Sequence, residues 1–303
     1  MYDTIIIGAG PAGMTAALYA ARSNLKVALL ERGIPGGQMN NTSDIENYPG
    51  YANISGPELA EKMFEPLENL GVEHLFGSVE KIEHQGVIKK VFTEDEIFET
   101  KTLIIATGAV HRHLGVPGEE ELNSRGVSYC AVCDGAFFRD EDLLVVGGGD
   151  SAVEEAVFLT RFAKTVTIVH RRDELRAQKL LQERAFANEK IHFIWDSVVK
   201  EIKGDKRVSS VMVENVKTGE ISEHEFGGVF IYVGLDPVSE FAKDLGITNE
   251  AGWIVTDNHM KTAISGIYAI GDVREKDLRQ VTTAVGDGAV AGQEVYKYIT
   301  ENF

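Results

Sequence analysis

Short apolar runs that close on glycine punctuate this chain. Thr4-Ile5-Ile6-Ile7 leads into Gly8, Thr102-Leu103-Ile104-Ile105 into Ala106-Thr107-Gly108, and Asp142-Leu143-Leu144-Val145-Val146 into Gly147. Phe230-Ile231-Tyr232-Val233 meets Gly234, and Ile267-Tyr268-Ala269-Ile270 meets Gly271-Asp272. Runs of this length without polar alternation predict strands buried on both faces, as in parallel sheets. After the first and third runs the period changes to that of a helix, over Met14–Arg22 and Val153–Leu159, and a further strand follows each, Lys26–Leu30 and Thr165–Val169. Between these units the pattern predicts a helix near 57–70, an antiparallel region near 72–98, helical residues to about 190, and strands within 191–195 and 208–226. A helix of small residues ends the chain. The reading is an α/β fold with two Rossmann-like units, one a repeat of the other.

The turns after the two leading strands carry the chemistry. The first is Gly8-Ala9-Gly10-Pro11-Ala12-Gly13, and about 20 residues on, the second strand ends in Glu31. In the order strand, GxGxxG, helix, the glycines permit a tight turn and bring backbone N–H groups to a pyrophosphate at the helix N-terminus, while the acid takes ribose hydroxyls. The second turn is Gly147-Gly148-Gly149-Asp150-Ser151-Ala152, but its strand ends in His170-Arg171-Arg172. Basic side chains at that position pair with a 2′-phosphate, which predicts NADPH over NADH. Two units of opposite ribose chemistry imply two dinucleotides, and a flavin and a nicotinamide are the natural pair. The amides of Gln38, beside Gly37, and of Asn47 suit a flavin edge. Ala106-Thr107-Gly108 is a small-residue turn that passes a cofactor closely. Asp272 suits a polyol hydroxyl or a helix cap.

Composition narrows the field. The 303 residues suffice for two domains, and 47 acidic against 30 basic residues give a net charge of −17, which repels nucleic acid. Thirty-one glycines against seven prolines agree with close backbone approaches. No apolar run has the length of a membrane span, and the first residues do not read as a signal peptide, so a soluble cytoplasmic protein is expected. The stretch 110–118, with His111 and His113, reads as a linker with solvent-facing histidines.

Cys130-Ala131-Val132-Cys133-Asp134 holds both cysteines of the chain. Two thiols two positions apart, with a carboxylate beside the second, read as a reversible disulfide. An inert bridge and a metal site stay open, although no second CxxC is present and zinc ordinarily takes four Cys or His ligands, or three with water.

With GAGPAG at 8–13, GGQ at 36–38, ENYPG at 46–50, ATG at 106–108, CAVCD at 130–134, GGGDSAVEE at 147–155, HRRDELRA at 170–177, and GD with LRQV at 271–281, the whole chain resembles the bacterial-type, low-molecular-weight thioredoxin reductases. The resemblance implies an FAD domain of 1–112 and 246–303 around an inserted NADPH domain of 113–245 that carries the CxxC. It extends the FAD set to Gly271, Asp272, Arg279, Gln280 and Val281, and the NADPH set to Glu155 and Arg176. It implies that NADPH reduces FAD, that the flavin opens a Cys130–Cys133 disulfide with Cys133 nearer the flavin, that Cys130 attacks oxidised thioredoxin, and that Asp134 is the proton donor or acceptor. It also implies a homodimer, with no metal. Arg125, Phe137, Phe138 and Arg139, which flank the motif, read as a docking patch, with Phe137 and Phe138 as core residues the alternative.

Overall fold

The computed structural model describes residues 1–41, 45 and 47–303, and the side chains of Val132 and Cys133 lie outside the described residues. The chain forms two compact units, 1–110 with 236–303, and 111–235. It crosses between them within two short strands, Ala109–His111 and Leu235–Pro237, which pair with each other. Arg112 N–H donates to Gly234 O on one side of the crossing and Val238 N–H to Gly108 O on the other.

In the discontinuous unit, strand Tyr2–Ile7 lies between Val27–Glu31 and Ile97–Ile105, parallel to both. Strand Glu73–Phe76 extends the sheet beyond Val27–Glu31, and Ile267–Ala269 adds in parallel to Ile97–Ile105. An antiparallel meander, Val79–Gln85 and Ile88–Thr93, continues on the other end of that same long strand. Burial along Ile97–Ile105 follows its neighbours. It alternates where the meander leaves one face wet, then becomes continuous from Thr102 to Ile105, where strands flank it and both faces are covered. On one face, helices Pro11–Arg22 and Val281–Asn302 pack backbone to backbone. A β-carbon at Gly288 would lie 2.4 Å from Ala12 O, and one at Gly292 2.6 Å from Tyr19 Cβ. That contact explains the small residues of the last helix. The other face is closed by Phe241, Ala242, Leu245, Ile247 and Ile254, packed against Ile5, Ile7, Leu103 and Ile105. The unit therefore resumes at Asp236, ahead of the 246 suggested by the resemblance, because the apolar side chains of 241–245 belong to this core.

The inserted unit repeats the plan. Strand Asp142–Val146 lies between Thr165–Val169 and Gly228–Ile231 in an all-parallel sheet ordered Ile191–Ile194, Thr165–Val169, Asp142–Val146, Gly228–Ile231, Val127–Ser128. Helix Asp150–Leu159 covers one face with Leu175, Ala177 and Ala185. The antiparallel sheet Ser197–Gly204, Val208–Asn215 and Ile221–Glu225 covers the other, with Val199, Ile202, Val211 and Val213 against Leu144, Val146 and Val169.

Candidate dinucleotide and disulfide sites

In the discontinuous unit, Gly8 has φ +103°, and a β-carbon there would sit 2.4 Å from Ala106 O. One at Gly13 would sit 1.9 Å from Gly8 O, whereas one at Gly10 would meet nothing within 4 Å. The turn is thus packed on one side and open on the other. Helix Pro11–Arg22 starts with Pro11 and has no side-chain cap at Gly10, so its first amides face that opening without a side-chain acceptor. Glu31 accepts from Ala9 N–H (2.8 Å) and Gly33 N–H (3.0 Å), which holds its carboxylate at the lip of the turn. A carboxylate has about four acceptor sites, so two amides leave room for ribose hydroxyls. A cavity of about 110 Å³ adjoins it, lined by Gly8, Glu31, Arg32, Ser78, Val79 and Phe241 among others.

Gly271, with φ +70°, brings the end of strand Ile267–Ala269 against that helix start, where a β-carbon would lie 2.9 Å from Ala12 Cβ. Asp272 follows. Its Oδ1 is buried without a hydrogen-bond partner, and burial pushes its pKa up against the opposing pull of Lys276 and Arg279. An orphaned acceptor beside an uncapped helix start is what a ribityl hydroxyl and a pyrophosphate would satisfy together. These residues fit a flavin dinucleotide. Arg279 lies over the Trp253 ring at 3.9 Å and donates to Asp272 O at 3.3 Å. Asn47 Nδ2 donates to Gln280 Oε1 at 3.0 Å, immediately before Val281 opens the last helix. Gln38 is otherwise engaged, donating to Ala109 O (3.3 Å) and accepting from Asn41 (3.2 Å). Gly37 has φ +57° and abuts Gly10, Thr107 Oγ1 donates to Val238 O (2.5 Å), and Gly108 turns at φ +70°. Glu46 of the ENYPG motif lies outside the described residues.

The inserted unit repeats the cradle. A β-carbon at Gly147 would lie 2.4 Å from Tyr232 O and one at Gly148 2.4 Å from His170 Nδ1, while Gly149 is open. Helix Asp150–Leu159 starts on Gly149, again without a side-chain cap. Asp150 accepts from Gln178 N–H (2.7 Å) and Nε2 (3.1 Å), and Arg176 N–H donates to Gly148 O (2.7 Å), so the 170–178 loop is pinned over the helix start. Ser151 is exposed, and Ala152 is buried against Gly147. His170 is buried with Nε2 unpartnered, and burial, then the charges of Arg176, Arg171 and Arg172, hold its pKa down. Those three guanidinium groups are exposed and act on one place. Glu155 Oε2 is buried without a partner, and burial, helped by Glu154, pushes its pKa up to about 7. Two orphaned polar atoms around a second open glycine turn fit a second dinucleotide, with cations for an extra phosphate.

Strand Val127–Ser128 delivers the chain to Cys130, which is disulfide-bonded, and to the one-turn helix Ala131–Asp134. The Cys133 side chain lies outside the described residues. Ser128 Oγ donates to Asp134 Oδ2 (2.6 Å) and accepts from Cys130 N–H (3.0 Å); Asp134 N–H closes the turn on Cys130 O (3.1 Å). Ala131 N–H donates to Tyr232 Oη (2.7 Å). Ser128 and Tyr232 were not legible as site residues from motifs. The signal that exposes them is register: Ser128 pairs with Phe230, and just beyond those paired strands the Tyr232 hydroxyl meets Ala131 N–H. The histidines of the 110–118 stretch are not simply solvent-facing. Both pack their rings on Tyr129, whose hydroxyl meets His113 Nδ1 (2.8 Å) and donates to the buried Glu119 (2.7 Å). Burial raises the Glu119 pKa, but the Tyr129 bond and the amides of Leu114, Gly115 and Val116 outweigh it and hold it down. The docking patch divides. Phe137 is 78% exposed, but Phe138 packs edge-on against Phe230 (5.2 Å) and Arg139 stacks on Phe162 (5.6 Å), while Arg125 bonds Glu121 O.

Among the described residues no cluster of His, Cys, Asp and Glu is placed to hold a metal, and no helix is long and apolar enough to cross a membrane. Compared with known proteins, residues 2–288 match the pyridine nucleotide-disulphide oxidoreductase family. The chain is 55% identical to the thioredoxin reductase of Bacillus subtilis over 302 residues, 99% of this chain and 96% of that protein. The crystal structure of Lactococcus lactis thioredoxin reductase superposes with a TM-score of 0.83 at 68% identity, covering 99% of this chain and all of that one. That of Streptococcus pyogenes thioredoxin reductase gives 0.81 at 72% identity, covering 100% and 99%.

Proposed function

The chain belongs to the pyridine nucleotide-disulphide oxidoreductase family, and on that premise we propose how its residues carry out the reaction. The protein is an NADPH-dependent flavoprotein, a thioredoxin-disulfide reductase. FAD is assigned to the discontinuous unit, with Gly8 to Gly13 and the helix start taking the pyrophosphate, Glu31 the adenosine ribose, Asp272 a ribityl hydroxyl, and Asn47, Gln280 and Val281 the ring edge. NADPH is assigned to the inserted unit, with Gly147 to Ala152 at the pyrophosphate, Arg171, Arg172 and Arg176 at the 2′-phosphate, and His170 and Glu155 lining the cleft. Bound FAD and NADPH supply the electron pair that opens the disulfide.

The protein chemistry is then thiol–disulfide exchange. The Cys130 thiolate attacks one sulfur of the thioredoxin disulfide; that S–S bond breaks, a mixed disulfide forms, and the other thioredoxin sulfur leaves as a thiolate. Cys133 attacks the Cys130 sulfur, which re-forms the Cys130–Cys133 bond and expels the second thioredoxin thiolate. Asp134 exchanges the proton through the oxygen that Ser128 does not hold. A homodimer working in the cytoplasm is part of the same proposal.

The observation that carries this reading is the disulfide at Cys130 in a turn whose one carboxylate, Asp134, is oriented by Ser128 Oγ. The test follows NADPH oxidation in the presence of thioredoxin. Cys133→Ser is expected to abolish turnover while leaving bound FAD, and turnover at the wild-type rate would overturn the mechanism. Arg171→Ala/Arg172→Ala should raise KM for NADPH about tenfold or more, as loss of charge-assisted phosphate bonds costs, with KM for NADH little changed. Equal effects on both nucleotides would remove the arginines from the phosphate site.

A further inference from the structure

Tyr232 is a partly buried side chain, packed against the core of the inserted unit, that the exchange chemistry above does not use. Its main chain is held on both sides: Tyr232 N–H donates to Val146 O (2.8 Å), and its carbonyl oxygen lies where a β-carbon at Gly147 would intrude. It follows strand Gly228–Ile231 directly, just beyond the pairing of Val229 with Val127 and Phe230 with Ser128. From that backbone position the ring places its phenol oxygen against the first amide of the CxxC helix. The bond from Ala131 N–H to Tyr232 Oη is short, 2.7 Å. With the Cys130 N–H bond to Ser128 Oγ (3.0 Å) it fixes the peptide units on both sides of Cys130. Burial raises the Tyr232 pKa well above the ordinary phenol, with Glu155 and Asp134 adding to it, so the hydroxyl stays protonated and the oxygen is a neutral acceptor.

We propose that Tyr232 is a positioning residue that makes the Cys130 pair a stronger reductant, by holding the Ala131 amide more firmly in the disulfide state than in the dithiol state. The inference rests on the redox role assigned to Cys130 and Cys133. Reduction is Cys130–S–S–Cys133 plus two electrons and two protons giving two thiols. In the disulfide state the covalent ring already restricts the turn, so the Ala131 bond forms with little further ordering. In the dithiol state that restriction is gone, and the same bond must order a looser turn. A bond that favours the oxidised side lowers the midpoint potential of the pair, and with it the tendency of electrons to stay on Cys130 and Cys133 when oxidised thioredoxin arrives. Removing the phenol oxygen removes this bias.

The experiment is Tyr232→Phe in the full-length, FAD-loaded protein, with the dithiol–disulfide couple titrated against a thiol redox buffer. The expected result is an equilibrium constant about tenfold more favourable to the dithiol, which is about 30 mV upward for a two-electron couple, with slower thioredoxin reduction. A midpoint equal to wild type overturns the proposal, and a purely structural role would not move it. Should the variant not fold, hydrogen exchange of wild type decides. The Ala131 amide is expected to exchange at least tenfold more slowly in the oxidised than in the dithionite-reduced enzyme, and equal protection overturns the proposal. Thioredoxin turnover by the wild type is assayed in parallel. If wild type turns over and Tyr232→Phe keeps its midpoint, this inference alone fails; if wild type does not turn over, the proposed function fails.

Discussion

Glu155 shows what one side chain can be made to do by its surroundings. Its folded pKa of about 7 stands above the ordinary 4.5 because burial disfavours the charge. A carboxyl raised in this way binds a proton in the folded state that the unfolded chain releases, so stability falls as pH rises from about 4.5 to about 7 and the full penalty is present above it. Glu155→Gln is therefore expected to raise the thermal midpoint of the FAD-loaded, NADPH-free protein at pH 8, by on the order of 2 kcal/mol of stability, and to change it little at pH 4.5; a rise of equal size at both would show that charge is not the cause. Lys89 is the mirror case. It is fully buried, its ammonium donates to Val87 O and Lys101 O (3.1 and 2.9 Å) and faces the Tyr298 ring, and burial lowers its pKa to about 8. That group adds stability as pH climbs from about 8 towards 10.5, and Lys89→Met is expected to flatten the alkaline limb of a stability–pH profile. The glycine turns, Glu31, the basic strand end and the cysteine pair were legible because each is a fixed spacing along the chain. Ser128, Tyr232 and Glu119 were not, since their partners come from strand register or from a loop folding back. Lys89 was invisible for a plainer reason: in sequence it is one of two adjacent lysines in an alternating strand, and nothing local tells which is buried.

Strands and helices followed their patterns closely where burial is two-sided. Thr4–Ile7, Thr102–Ile105, Asp142–Val146 and Phe230 with Ile231 lie within strands; of the region expected to be antiparallel near 72–98, the part from Val79 onward is the meander, while Glu73–Phe76 instead pairs in parallel with Val27–Glu31. The last helix is different, because its small residues state that something approaches but not what. The approach is to helix Pro11–Arg22, with Gly288 over Ala12 and Gly292 over Tyr19. Gly288→Val is expected to cost a few kcal/mol, as overpacking of a close contact does, and because Ala12 belongs to the open cradle, it should also loosen FAD. Release of flavin on gel filtration at a lower urea concentration than wild type would verify this; unchanged retention would separate the helix contact from the cradle.

At the scale of the molecule, the chain leaves the discontinuous unit and returns to it through strands that pair, so the two ends of the inserted unit are neighbours. Its sheet is complete in itself, and residues 111–235 expressed alone are expected to unfold cooperatively and to bind NADPH more tightly than NADH by calorimetry. A molten fragment would show that the unit depends on the rest of the chain. The resemblance placed the return near 246, since motifs mark sites and say little of which core claims Phe241, Ala242 and Leu245. The two cradles also share one backbone solution: Gly8 pressed on Ala106 O, Gly147 pressed on Tyr232 O, and an open glycine two residues further on in each. Nothing in those turns distinguishes one nucleotide from the other. In the proposed assignment the ribose end is read at the end of the neighbouring strand, Glu31 in one unit for a free 2′-hydroxyl and His170 with its arginines in the other for a 2′-phosphate, as exchangeable labels on a common socket. A protein built this way can change its electron donor without rebuilding the machinery that handles the electrons.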